Sequence, residues 1–114
     1  MALLLLRVVR PGEGPYFRLF GSLDASSVKV LTSTVICPVH EPDVVLDLAD
    51  LTSVDEGGIR GFVEVARALS PGSELTLLSP RPSVARAIER SGVLETVPNM
   101  ALFFTHDPSY ASLG

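Results

Sequence analysis

Residues 44–59 read VVLDLADLTSVDEGGI, and this stretch decides the fold. Its first part, Val44–Leu48, is a short and nearly continuous apolar run, which is typical of a central strand covered on both faces. Its last part is polar and ends in Gly57 and Gly58, after which apolar residues recur at helical spacing. These apolar residues are Ile59, Phe62, Val63, Ala66 and Leu69. A buried strand, a polar loop and an amphipathic helix in this order predict an α/β domain.

The segment before this stretch predicts a hairpin and a first helix. The apolar runs Leu3–Val9 and Tyr16–Phe20 flank the Pro- and Gly-rich residues 11–15, which favours two antiparallel strands joined by a longer turn. After Gly21 the apolar residues recur at helical spacing, with Asp24 placed to cap the helix and Pro38 placed to end it. The apolar face of this helix consists of Val28, Leu31, Val35 and Ile36.

The segment after it predicts a further strand and helix. Glu74–Leu78 has the pattern of a strand, and the following Ser79–Pro82 opens a helix, because prolines are tolerated in the first turn. Ser79 is explained equally well as a cap of this helix or as a phosphorylation site. Gly92 suits the end of the helix, and Val93–Val97 is the candidate for a last short strand. The apolar stripe of this helix is Val84, Ala87 and Ile88.

Composition narrows the class of protein. The chain has 114 residues, 9 of them basic and 13 acidic, and a formal charge of -4, so one domain is expected and nucleic-acid binding is disfavoured. The opening apolar run stops at Arg7, far short of a membrane-spanning helix, and it lacks the features of a signal peptide. A single cysteine, Cys37, fits a reducing compartment. These features predict a cytoplasmic protein that does not enter a membrane.

Catalytic and metal-binding patterns are absent from the sequence. It contains no phosphate-binding loop, no dinucleotide-binding glycine pattern and no nucleophile elbow. Cys37 and His40 have the spacing of two metal ligands, but a structural zinc site needs four and no second pair exists. We therefore predict neither a metal nor an enzymatic activity.

The loop at residues 55–58 is the strongest candidate for function. Asp55 and Glu56 are adjacent carboxylates, and a position at a helix N-terminus explains them, since the helix dipole stabilises them by about 0.3–1 kcal/mol. A hydrolase built on these two acids is disfavoured, because no nucleophile accompanies them. Gly57 and Gly58 fit either a tight strand-to-helix turn or a functional loop whose backbone is closely approached, and the residues alone leave both interpretations open.

Three segments carry a resemblance to the STAS domain, the fold of anti-sigma factor antagonists and of the cytoplasmic tails of sulphate transporters. Gly21–Asp24 resembles the family's G-x-L-D, Val44–Ile59 resembles V-V-L-D-L…D-S-S-G-L, and Ser79–Val93 is similar to S-P-x-V followed by S-G-L. The resemblance implies a single STAS domain over residues 1–114, with its core at about 3–104 and a flexible tail at about 105–114. The implied fold is α/β, with a mixed sheet of about four to five strands and helices packed mainly on one side.

The resemblance also implies a function and a partner. Anti-sigma factor antagonists are bacterial, cytoplasmic, non-enzymatic transcription regulators that bind a kinase-type anti-sigma factor with a histidine-kinase-like ATPase fold. ATP and Mg²⁺ belong to that kinase, so the resemblance implies no cofactor for this chain. Other STAS proteins are a further possible partner. The residues that the resemblance implies for partner binding are Ser22, Leu23, Asp24, Ser53, Asp55, Glu56, Gly57, Gly58 and Ile59.

The sequence departs from the family at the regulatory position. The family's phosphorylated serine corresponds to Glu56, which has no hydroxyl group, so phosphorylation cannot occur there. Three alternatives follow: Glu56 mimics phosphoserine, Glu56 permits constitutive binding, or the switch has moved to Thr52 or Ser53. We favour a nonphosphorylatable regulator over a relocated switch. The alternative function is a STAS scaffold or ligand-sensing module that binds a nucleotide or lipid or assembles with other STAS units.

Overall fold

Two initial strands are followed by helices and strands that alternate up to a pair of consecutive helices before the last strand. The computed structural model describes residues 3–8, 16–35, 43–69 and 71–104. In chain order the elements are β1 (Leu3–Val8), β2 (Tyr16–Leu23), α1 (Val28–Val35), β3 (Val44–Val54), α2 (Glu56–Ala68), β4 (Leu75–Leu78), α3 (Pro82–Ser91), α4 (Val93–Thr96) and β5 (Met100–Phe103). The predicted turn at residues 11–15, the end of the first helix at Pro38, the Cys37–His40 pair and the tail at 105–114 lie outside the described residues.

The strands form one mixed sheet in the order β1-β2-β3-β4-β5. β1 runs antiparallel to β2, with Leu5 opposite Leu19, which confirms the pairing predicted for the two N-terminal runs. The pairs β2/β3, β3/β4 and β4/β5 are parallel. The α/β class and the mixed sheet of about five strands are therefore as predicted.

The core lies on one face of the sheet. In β3, Val44, Leu46 and Leu48 are fully buried and join the buried residues of α1, α2 and α3 in a single cluster. The alternate residues Val45 and Asp47 are only half-buried. The prediction that this strand is covered on both faces is therefore only partly confirmed: β3 is central in the sheet, but the core that the helices form lies on one face.

The helices begin and end largely where local sequence rules place them. In α2, Ile59, Phe62 and Ala66 of the predicted stripe are buried, whereas Val63 and Leu69 are half-buried. Pro82 is the first residue of α3, and Gly92 ends that helix with a φ of 76° in the left-handed region, as predicted. Of the two interpretations of Ser79, the cap of this helix is wrong, because Arg81 occupies the N-cap position without a side-chain capping bond.

The last strand is placed later than predicted. The prediction of a strand at Val93–Val97 is wrong: the N–H groups of Glu95 and Thr96 donate to the carbonyl of Gly92 at 3.1 and 3.2 Å, and these bonds form the short helix α4. β5 starts at Met100 instead, where Asn99 fixes the chain. The Asn99 side-chain amide donates to the carbonyls of Ala66 at 2.7 Å and Ser73 at 3.2 Å.

Candidate functional site

Two junctions meet at the carboxyl ends of the parallel strands β2 and β3. Their last residues are in register, with Leu23 beside Val54. Beyond this pair, the N–H of Asp55 donates to the carbonyl of Leu23 at 3.2 Å. The turn from β2 to α1 and the start of α2 are thereby joined, and the structure brings Asp24 and the 55–58 loop to one end of the sheet. Ligands and partners of open α/β sheets meet the protein at such ends.

Asp55 is the N-cap residue of α2. Its Oδ1 accepts a hydrogen bond from the backbone N–H of Gly58 at 2.9 Å, and its carbonyl accepts from Ile59 at 2.9 Å. The side chain is exposed, so its outward oxygen faces solvent. The cap explains why an aspartate ends the polar loop, since it satisfies an N–H group that the first helical turn leaves without a partner.

Glu56 is the first residue of α2, and its side chain is exposed. Within the described parts of the chain its carboxylate has no hydrogen bond or ion pair. The positive end of the α2 dipole stabilises an acidic group at this point by about 0.3–1 kcal/mol. The site thus presents a negative charge that is free to meet a cation from outside.

The two glycines are explained by the chain's own packing. A Cβ at Gly58 would collide with the carbonyl oxygen of Leu23 and come within 2.8 Å of Val54 Cγ2. A Cβ at Gly57 would lie 2.7 Å from the Cβ of Ala25. The close approach expected from these glycines is therefore made by the turn that leads to α1. Gly58 is buried, whereas Gly57 is half-buried and retains some surface.

Asp24 organises the turn before α1. Its Oδ1 accepts hydrogen bonds from the N–H of Ser26 at 3.0 Å and of Ser27 at 3.1 Å, and from their hydroxyls at 2.6 and 3.0 Å. The hydroxyls of Ser26 and Ser27 are the main cause of an Asp24 pKa below its ordinary value. The prediction that Asp24 caps the first helix is corrected, because α1 begins at Val28 and the bonded N–H groups belong to the preceding turn.

The remaining residues predicted for partner binding differ in their exposure to solvent. Leu23 and Ile59 are 1% and 5% exposed, so they support the site from within the core. Ser22 is half-buried, and its carbonyl accepts a bond from the Ser27 hydroxyl at 3.4 Å. Ser53 is exposed, and the exposed Thr52 donates its hydroxyl to the carbonyl of Gly21 at 2.8 Å.

Arg90 lies beside the candidate site, although no sequence pattern indicates it. An open groove of about 420 Å³ runs between the start of α2 and the end of α3. Its lining residues are Val54, Asp55, Glu56, Ile59, Ala87, Arg90 and Ser91. Arg90 is exposed, and within the described residues it forms no ion pair, so the groove has a cation on one wall and two carboxylates on the other. The family-like Ser91-Gly92 pair stands next to it in the sequence, but only the packing of α3 beside α2 brings Arg90 here.

A second groove, of about 610 Å³, lies at the start of α3 and contains none of the predicted site residues. Its polar wall includes Arg81, whose Nε donates to the carbonyl of Ala49 at 3.0 Å. Among the described residues no three metal-ligating side chains lie together. No helix in the described ranges is both long and apolar enough to cross a membrane.

Comparisons with known proteins agree with the fold. The family model of the STAS domain matches residues 7–107. The unphosphorylated anti-sigma factor antagonist SpoIIAA superimposes with a TM-score of 0.67 at 24% identity, over 87% of each chain. An anti-sigma factor antagonist from Mycobacterium paratuberculosis gives 0.71 at 15% identity, over 98% of this chain and 93% of that one.

A third structure, phosphorylated SpoIIAA from Bacillus, gives a TM-score of 0.62 at 22% identity, over 97% of this chain and 100% of that one. At these identities the likeness establishes the fold. No curated protein sequence matches the chain.

Proposed function

The chain belongs to the STAS domain family, and from that premise we propose that it is a non-enzymatic antagonist of an anti-sigma factor. Its partner in this proposal is a kinase-type anti-sigma factor with a histidine-kinase-like ATPase fold. Binding occupies that factor and thereby controls release of the sigma factor in the bacterial cytoplasm. The binding surface consists of the 55–58 loop, the start of α2 and the Asp24 turn.

The exposed carboxylate of Glu56 is the observation that supports this proposal most directly. It lies at the positive end of α2 and beside the Asp24 turn. In our proposal it takes the place of the family's regulatory serine. Unlike the carboxylate of Asp24, it has no partner within the described residues. A partner that offers an arginine or lysine here gains a charge-assisted contact.

Charge at this surface is constant in our proposal. A glutamate brings a charge of -1 and two oxygens, whereas phosphoserine brings about -1.5 to -2 and three. Kinase action at position 56 therefore cannot switch the surface. Moving the switch to Thr52 would first require breaking its bond to the Gly21 carbonyl, so Ser53 is the better relocated acceptor of the two.

Affinity capture from lysate of the protein's own cells tests the proposal. The baits are the wild-type chain, Glu56→Ala and Glu56→Ser, and Glu64→Ser serves as control because Glu64 is also an exposed glutamate of the same helix. Recovery of a kinase-type anti-sigma factor by the wild type and the control supports antagonist function with constitutive binding. If Glu56→Ala or Glu56→Ser recovers the factor and the wild-type chain does not, Glu56 is a phosphoserine mimic.

Failure of all four baits to recover such a factor contradicts the proposed function. Once the factor is in hand, incubation with ATP separates the remaining alternatives. The wild-type chain is expected to take up no phosphate, whereas Glu56→Ser becomes an acceptor. Phosphate on wild-type Ser53 or Thr52 would show instead that the switch has moved.

A further inference from the structure

The edge strand β1 carries two exposed leucines. Its sequence is LLLLRV, and within the described residues β2 is the only strand that pairs with it. Leu4 is 64% exposed and Leu6 is 51% exposed. Leu4 lies opposite Phe20 and Leu6 opposite Arg18 in the pairing of β1 with β2, so both leucines lie on the sheet face that the core does not use.

β1 has only one of the devices that usually protect an edge strand from pairing with another chain. Such devices are charged side chains (lysine above all), inward-pointing charges, proline, a bulge or a very short strand. The six residues of β1 contain no proline or lysine and pair with β2 without a register shift. The one such device is the charge of Arg7, which lies opposite Phe17 on the core face of the strand, with its guanidinium 5.9 Å from the centre of the Phe17 ring. By contrast, β5 at the other edge has only four residues.

We propose that two copies of this chain pair through β1, in antiparallel orientation, and join their five-stranded sheets into one of ten strands. Pairing centred on Leu5 places Leu4 opposite Leu6 of the second copy on the open face, and Leu3 opposite Arg7. No like charges then face each other, whereas parallel pairing would set Arg7 beside Arg7. Both copies use the same surface, and pairing leaves β1 without an unpaired edge, so assembly stops at the dimer.

Stacking of two open faces is a poorer arrangement for this chain. The middle of that face is polar: Arg18 Nη2 donates to Asp50 Oδ2 at 2.7 Å, and the Tyr16 hydroxyl donates to Asp47 at 2.8 Å. Covering these groups would remove them from water without new partners. Pairing through the edge leaves them solvated and still covers Leu4 and Leu6.

The dimer does not depend on the proposed function. β1 contains none of the residues that we propose for binding the anti-sigma factor, so both copies keep that surface. Failure to dimerise would leave the antagonist proposal intact, and failure to capture an anti-sigma factor would leave the dimer intact.

Sedimentation velocity of the full chain between about 1 μM and about 1 mM tests the dimer over the range of weak to moderate affinities. We expect a species of twice the 12.1 kDa chain mass to grow with concentration. Leu4→Lys and Leu6→Lys should each raise its dissociation constant at least about tenfold. The matched control is Phe103→Lys, because Phe103 is 53% exposed on the same face but in the opposite edge strand. Circular dichroism verifies that each variant is folded.

Cysteine cross-linking tests the register. In a Cys37→Ser background, a mixture of Leu4→Cys and Leu6→Cys chains should form disulfides faster than either variant alone, since these positions lie directly opposite. A monomer at every concentration overturns the proposal. Loss of the dimer with Phe103→Lys and not with the leucine variants overturns it as well, in favour of stacked faces. Growth beyond the dimer would show open-ended aggregation instead.

Discussion

The N–H of Asp55 donates a hydrogen bond to the carbonyl oxygen of Leu23, and the 3.2 Å contact joins the start of α2 to the end of β2. The same carbonyl is the atom that a Cβ at Gly58 would strike. The loop, the first turn of α2 and the turn before α1 therefore form one packed unit. A partner that binds Glu56 meets a surface whose backbone is fixed before binding, which lowers the entropic cost of association.

Gly58→Ala is expected to destabilise the fold by about 1–3 kcal/mol, because the backbone of Leu23 cannot move aside without disturbing β2. Gly61→Ala should cost less, since its nearest neighbour is the Val28 side chain at 3.1 Å and alanine favours the helix. Glu64→Ala, at an exposed position of α2, is the control. Urea denaturation measures all three, and equal stability of Gly58→Ala and the control would contradict this packing.

Asp55→Ala should lower the free energy of unfolding by about 1 kcal/mol through loss of the cap on Gly58. Asp55→Asn should retain most of this stability, because an asparagine oxygen also accepts the Gly58 N–H. Comparison of the two variants by urea denaturation separates the hydrogen bond from the charge. If both variants lose the same stability, the carboxylate acts through its charge and not as a cap.

The Asp24 carboxyl should titrate below the ordinary range of aspartate. Its lowered pKa means that its stabilising contribution is present at neutral pH and is lost as the pH falls through the lowered pKa. Because the Ser26 hydroxyl is the largest cause, Ser26→Ala should raise this pKa. NMR titration of the Asp24 carboxyl carbon checks both statements. Ser83→Ala, an exposed change on α3, should leave the titration unmoved.

Periodic patterns made most of the fold predictable. The apolar patterns of the strand Val44–Leu48 and of α2 and α3 repeat over enough residues for burial to select one structure. In α3 the predicted Val84 and Ile88 are buried, but Ala87 is half-buried and Ala85 is buried instead. Short elements were less predictable: Val93–Val97 has the composition of a strand, but the bonds to the Gly92 carbonyl turn it into α4. The Ser79 prediction failed for a similar reason. This residue is buried with a φ of 55°, and its N–H donates to the carbonyl of Phe103 at 2.7 Å.

The candidate site was predictable where contacts follow from strand order. Asp24 and Asp55 both come directly after neighbouring parallel strands, so their junctions meet at the same sheet end. The role of the two glycines in packing within the chain was not predictable. The backbone of a binding partner and a turn of the same chain both exclude a Cβ at these positions, so the sequence does not distinguish them. Arg90 was missed since its place depends on how α3 packs beside α2.

The groove between α2 and α3 leads to the last prediction, which depends on the proposed partner. A partner that brings a cation to Glu56 also meets Arg90 across the groove and must supply an acceptor for it. Arg90→Glu makes both walls acidic, so we expect binding to fall at least about tenfold. Arg86→Glu is the matched control, because Arg86 is exposed one helical turn away and lines the other groove.

Both charge reversals are surface changes and should alter stability by no more than about 0.5 kcal/mol. Isothermal titration calorimetry with the captured anti-sigma factor measures their effect on affinity. A loss for Arg90→Glu alone would extend the binding surface from the loop and α2 onto α3. Equal losses for both variants would mean that the overall charge of α3 decides binding, and no loss for either would confine the interface to the α2 end.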